Sequence, residues 1–183
     1  MDVMIDIETL GTAPGSVILS LGAVAFVRDR MPEDWLEFSS VISIESSKSC
    51  GLTTDQSTID WWKRQDNYAR RVLEESQDPL APDLKTVLAD FSRWCQLLKA
   101  PVDNLFVWGN GSDFDNVLVT AAYKAVGLKP PWKYYNSRCF RTLKNLFPSI
   151  AATYTPDVVA HNALDDARAQ AIVANAILQH IQL

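Results

Sequence analysis

The chain has 183 residues, 48% of them hydrophobic and 21% charged. That is enough apolar content for one domain with a substantial core, and too apolar a balance for a disordered segment. The formal net charge of −5 signals no general affinity for polyanions, although a local basic rim would suffice for one, and acids clustered at a metal site would lower the total.

Cys50, Cys95 and Cys139 are odd in number, scattered and without zinc-type spacing, which reads as reduced, buried thiols in a cytoplasmic protein. No basic stretch precedes the first apolar run, and no segment approaches the roughly 18 apolar residues of a membrane span. One domain over residues 1–183 is expected, with no membrane partner.

In chain order, "DVMIDIE" reads as a strand, followed by the turn-rich "TLGTAPGS" and the apolar "VILSLGAVAF". A polar turn, "VRDRMPED", leads into the alternating "WLEFSSVISIE". Three strands with short turns make an antiparallel meander. The period then changes: residues 57–76 read as a helix with Ser57 at its cap, and 83–99 as a clearer one between Pro82 and Pro101. "LFVWGN" is a short strand, and a helix over 114–126 follows it, ended by Gly127. A short strand around Tyr134, a helix over 138–147 stopped by Pro148, and a last helix over 162–179 complete the order. A meander followed by alternating units implies an α/β fold with a mixed sheet flanked by helices.

Asp6 and Glu8 stand two apart on the first strand, so both carboxylates emerge on one face. Like charges held that close resist joint ionisation. Asp113 and Asp115 follow the fourth strand, and His161, Asp165 and Asp166 open the last helix. Strand ends and helix starts of such sheets are where ligands bind. Convergence of these groups on a divalent cation would explain the acidic pair, because hard oxygen ligands suit Mg2+ or Mn2+. A surface-facing acidic pair is the alternative for Asp6 and Glu8 taken alone. By spacing, Asp113 and Asp115 are both candidates, and helical periodicity places Asp165 nearer the face of His161 than Asp166.

The segments "DIETLGT", "WGNGSDFDN" and "HNALDDARAQA" resemble the three motifs of the DEDDh, or DnaQ-like, 3′–5′ exonucleases, which have a ribonuclease-H-like fold. The resemblance spans nearly the whole chain and is strongest to the compact phage and bacterial exonuclease VIII-like and exoribonuclease branch. It implies a mixed sheet of an antiparallel three-strand meander plus two parallel strands, flanked by helices. It selects Asp115, leaving Asp113 as a helix cap, and selects Asp166, provided that His161 precedes the helix on its loop. Asp6, Glu8, Asp115 and Asp166 would then hold two Mg2+ or Mn2+ ions, with His161 as general base.

The same resemblance implies contacts with the 3′ end of a single-stranded DNA or RNA at Thr9, and an apolar wedge at Leu10. Trp61 and Trp62, beside Lys63 and Arg64, fit base stacking and phosphate attraction, although adjacent residues on a helix cannot share a face and one should be core. Asn110 could orient a ligand. Arg138, Arg141 and Lys144 form a second basic stretch, equally readable as solvated helix surface. The alternatives are trimming of short RNA by an oligoribonuclease-type enzyme and a non-catalytic nucleic-acid-binding module. The resemblance allows a homodimer, and no seam in the sequence demands one.

Overall fold

The computed structural model describes residues 1–27, 30–154 and 161–181. Its centre is a five-stranded sheet of order β3-β2-β1-β4-β5, built from β1 (Asp2–Thr9), β2 (Ile18–Phe26), β3 (Leu36–Val41), β4 (Phe106–Gly109) and β5 (Ser137–Cys139). β1, β2 and β3 are antiparallel neighbours, whereas β1 pairs in parallel with β4 and β4 with β5. The expected meander and two parallel strands are therefore present, with β1 at the centre. Arg28 and Asp29 of the expected β2–β3 turn lie outside the described residues.

Alternation along β1 explains how one strand serves two cores and a site. Val3, Ile5 and Ile7 point to one face, where they join Leu19, Leu21, Phe91 and Leu118 in the larger core. Met4 points to the other, with Val24, Phe26, Trp108 and the apolar side of α8 (Ala163–His180). Asp6 and Glu8 continue the Met4 row, so the carboxylates stand where the second core would otherwise extend.

The helices differ from the sequence reading in four places, each with a local cause. The expected helix over 57–76 is two, α2 (Gln56–Lys63) and α3 (Asn67–Gln77). Asp66 breaks it by accepting the Ala69 N–H at 2.9 Å, an N-cap bond that competes with continuation of α2. Asp55, not Ser57, caps α2, through the Thr58 N–H at 3.0 Å. The third strand stops at Val41, because Ser43 caps the short α1 (Ile44–Ser49). Pro148 does not end the fold's helical run but opens α7 (Pro148–Tyr154) after α6 (Phe140–Leu146), at a first turn where a missing N–H is harmless.

The strand expected around Tyr134 starts at Ser137, behind a single 3-10 turn over Tyr134–Asn136. α4 (Leu84–Leu97) and α5 (Asp115–Ala125) fall where expected, and Gly127 ends α5 in a left-handed conformation at φ 70°. All three cysteines are free; Cys95 is buried, and Cys50 and Cys139 are half-buried. Among the described residues, no helix is long and apolar enough to cross a membrane.

Candidate active site

Three elements deliver the carboxylates to the end of the sheet where β1 and β4 finish. β1 carries Asp6 and Glu8. Just past Glu8 the pairing with β2 shifts register, from Glu8–Ser20 to Thr9–Ile18, the kind of irregularity that re-aims a strand end. Asp115 opens α5 directly after β4 and is only 2% exposed. Its Oδ2 accepts the backbone N–H of Asn110 at 2.7 Å. A Cβ on Gly109 would fall within 3.0 Å of Asn116 Oδ1 and of Asp115 Cβ, so glycine there is what lets α5 start so close to the strand.

α8 brings the rest. Asn162 caps it, its Oδ1 accepting from the N–H groups of Leu164 and Asp165 at 3.1 Å each. His161 precedes that cap with a positive φ of 69°, a conformation that costs energy outside glycine and collects at functional sites. In that conformation its backbone N–H donates to Asp166 Oδ2 at 3.1 Å. Asp166 faces inward, whereas Asp165 faces outward toward Arg168, at 3.7 Å.

Oxygen atoms of Asp6, Glu8 and Asp166 lie within 4.8 Å of one another. Asp115 is near enough for its charge to raise the pKa of both Asp6 and Glu8. Burial is the first cause of every shift in the group. It holds Asp6 well above the ordinary carboxylate range, with Asp115 and Glu8 adding to it and a hydrogen bond from Gln170 opposing. It pushes Glu8 up to about 8, helped by Asp166 and Asp115. Asp115 rises to about 6, restrained by backbone N–H donors and by Arg141, and Asp166 is raised as well.

Among the described residues no lysine or arginine forms an ion pair with any of the four. Four half-buried or buried acids with no ion-pair partner among the described residues are a donor set that a hard divalent cation satisfies.

The residues expected to touch substrate separate by burial. Trp62 is core: it is 1% exposed, and its indole N–H donates to the Thr9 carbonyl at 2.8 Å. Trp61 is half-buried and meets the His161 ring edge-on, with centroids 5.0 Å apart. A cleft of about 530 Å³ opens beside them, lined in part by Glu8, Thr9, Thr58, Trp61, Arg64 and Phe114. Thr9 is buried and its hydroxyl is occupied, donating to the Gly11 carbonyl at 2.7 Å. Leu10, expected as a wedge, is 4% exposed and belongs to the larger core, because the turn after β1 folds inward to bond Val17 and Asp55. Asn110 contributes its backbone to Asp115, and its side-chain Oδ1 is buried without a partner among the described residues. Asp113, expected as a helix cap, makes no capping bond; Phe114 holds the N-cap position.

Two neighbours of the site escaped the sequence reading. Gln170 lies one turn beyond Asp166 and donates from Nε2 to Asp6 Oδ1 at 2.8 Å. The i, i+4 spacing from Asp166 was its available signal. Phe114 enters the cleft wall from the start of α5, and it adjoins Asp115 in sequence.

Carboxylates from a central strand and two helix starts, with a histidine on the loop before the last helix, are the arrangement expected of a DEDDh 3′–5′ exonuclease. Solved structures share the fold. The nuclease domain of 3′hExo, a DEDDh member bound to rAMP, superposes with a TM-score of 0.65 at 16% identity, covering 98% of this chain and 92% of that one. Cell-death related nuclease 4 (CRN-4) gives 0.63 at 13% identity over 98% of this chain, which spans 64% of the CRN-4 chain. The family model for the Rv2179c-like 3′–5′ exoribonuclease domain matches residues 1–178, and the chain belongs to that family. An exodeoxyribonuclease of Enterobacteria phage T4 is 26% identical over 164 residues, covering 77% of this chain and 69% of the phage protein. The chain is a 3′–5′ exonuclease.

Proposed function

We propose that the enzyme shortens single-stranded RNA from its 3′ end, releasing one nucleoside 5′-monophosphate at a time. The observation that carries this reading is the approach of Asp6, Glu8 and Asp166 oxygens to within 4.8 Å beside buried Asp115. Those four carboxylates would hold two divalent cations, Mg2+ or Mn2+. Bound there, the ions would lower the pKa of water and offset charge on the attacking and leaving oxygens of an in-line displacement.

His161 accepts the proton of the attacking water on a ring nitrogen as the water oxygen bonds to phosphorus. The 3′ oxygen of the penultimate nucleotide leaves, and the terminal phosphate departs on the 5′ carbon of the released nucleoside. Trp61 supports the imidazole edge-on and, with Phe114, walls the cleft that receives the terminal base. Thr9 shapes that cleft through its backbone.

RNA is favoured by the description of the matched family, which spans almost the whole chain. The phage relative, named for DNA, supports the second reading. The deciding assay offers 5′-labelled single strands of RNA and DNA to purified protein with Mn2+. A ladder of single-nucleotide steps on RNA, faster than on DNA and absent for Asp6→Ala, is expected. Cleavage that persists in chelator, or nicking of a circular strand, would sink the mechanism; a faster DNA ladder would reverse the substrate.

Gln170 has a separate consequence. Its amide orients Asp6 without a charge of its own, and loss of such a partner typically costs about 10–100-fold in metal affinity. Gln170→Leu is expected to raise the Mn2+ concentration at half-maximal activation by that order. It should also shrink the melting-temperature rise produced by Mn2+ alone, which is read without substrate. An unchanged Mn2+ response would remove Gln170 from the site.

A further inference from the structure

Charge is distributed unevenly along this acidic chain. From Asn116 to Tyr154 there are six lysines and arginines and no aspartate or glutamate, leaving 11 basic against 22 acidic residues elsewhere. Four cations outside that stretch, Lys63, Arg71, Arg93 and Arg168, are in ion pairs, whereas among the described residues none of the six is. Like charges kept together without acidic partners repel one another, so their grouping asks for an anionic partner.

The fold arranges four of them along one edge. β5 is the edge strand of the sheet. Arg141, in the first turn of α6 at the catalytic end of β5, is exposed and close enough to temper the pKa of Asp115. Lys144 follows one turn later, over the Phe140 ring at 5.5 Å. On β5 itself Arg138 lies over the Phe106 ring at 4.7 Å and is fixed by donating to the carbonyls of Tyr135 (2.9 Å) and Ser137 (3.2 Å).

Ahead of β5, exposed Lys133 adjoins Tyr134 and Tyr135, which are 87% and 54% exposed. Two tyrosines that open to water do not serve the core, and aromatic faces among cations are the pattern of single-strand binding. The acids at that end are already engaged by neutral donors, Asp103 by the Tyr135 hydroxyl at 3.1 Å and Asp2 by the Trp108 indole at 2.8 Å. From Tyr134 to Arg141 the row extends roughly 15 Å, starting beside a catalytic carboxylate and leading away from it.

We propose that the β5 edge, from Arg141 and Lys144 through Arg138 to Lys133, Tyr134 and Tyr135, is a track for the 5′-ward part of the single strand whose 3′ end occupies the cleft. This rests on the reading of the acidic site as the place where the 3′ end is cut. The track gives long strands a purchase that a dinucleotide lacks.

The test pairs substrate length with charge. Lys133→Glu/Arg138→Glu/Lys144→Glu should weaken binding of a 20-nucleotide RNA by at least about 10-fold near 0.1 M salt. The slope of log affinity against log salt should fall by about 2, for three lost phosphate contacts. Turnover of a dinucleotide should be unchanged. Because Arg138 also holds the strand, Lys133→Glu/Tyr134→Ala, at two exposed side chains, serves as the milder version, with the same direction expected. Full affinity for the long strand in both variants overturns the proposal. So does equal loss on the dinucleotide, or loss of binding to phosphatidylglycerol vesicles with strand binding intact. Binding is measured in the Asp6→Ala background without metal. A wild-type protein that cleaves nothing, while these variants still lose strand affinity, would therefore fail the nuclease mechanism and leave the track standing.

Discussion

Glu8→Gln is expected to abolish nucleotide release and, in the same protein without metal, to raise the melting temperature at pH 8. Glu8 sits where burial first, and the Asp166 and Asp115 carboxylates next, push its pKa from 4.5 to about 8. A group whose folded pKa lies above its unfolded value contributes stability that is fully present below the unfolded pKa. That stability is lost as pH rises through the folded one. The metal-free wild type should therefore lose stability between about pH 4.5 and pH 8, and the raised Asp115, at about 6, acts in the same direction.

The shift corresponds to a few kcal/mol for Glu8, or on the order of 5–10 °C for a chain of this size. Glutamine keeps the shape and removes the charge, so its advantage should be large at pH 8 and vanish near pH 4.5. Mn2+ should raise the wild-type melting temperature at pH 8 and do little for the variant. A melting-temperature gap that is the same at both pH values would falsify this account of the site.

That conflict between stability and function is visible in the sequence before any coordinates. A strand that alternates Met4, Asp6, Glu8 against Val3, Ile5, Ile7 puts two acids on a face that elsewhere is core. The mixed sheet was legible for a related reason: apolar runs joined by short turns pair antiparallel, and runs separated by helices must cross over.

What did not read out depended on competition between nearby signals. Asp66 could have been one more polar residue on a long helix, and only its bond to the Ala69 N–H makes it a cap. Leu10 was expected as a wedge by resemblance alone, yet the turn after β1 folds back on Val17 and takes the side chain into the core. Adjacent Trp61 and Trp62 were bound to part, but which one faces the cleft needed the indole bond from Trp62 to Thr9. Gln170 was hidden for the opposite reason, since an amide one turn past an acid is ordinary on a solvated helix, and here that face is turned onto Asp6.

The joining of the two halves of the site rests on one glycine, and its substitution should have the second large effect. Gly22 stands opposite Asp6 in the β1–β2 register. A Cβ there would fall within 3.0 Å of the Ala163 carbonyl carbon and oxygen and of the Leu164 N–H nitrogen. Those are backbone atoms of the first turn of α8, held by the Asn162 cap, so they cannot swing aside as a flexible side chain could. Gly22→Ala must lift that turn from the sheet, carrying His161 and Asp166 away from Asp6 and Glu8 while leaving every functional side chain in the sequence.

Misplacement by about 1 Å costs on the order of 100-fold in rate. The expected result is therefore a kcat lower by at least that factor, measured well below the melting temperature of the variant. The two halves of the site should also lose their joint hold on metal, seen as a smaller melting-temperature rise with Mn2+. The strand track along β5 lies on the far side of β4 from this contact, so long-strand affinity without metal should be retained. Wild-type kcat in Gly22→Ala would mean that α8 reaches the sheet by packing loose enough to absorb a methyl group. The close approach of its first turn would then not be what assembles the four carboxylates.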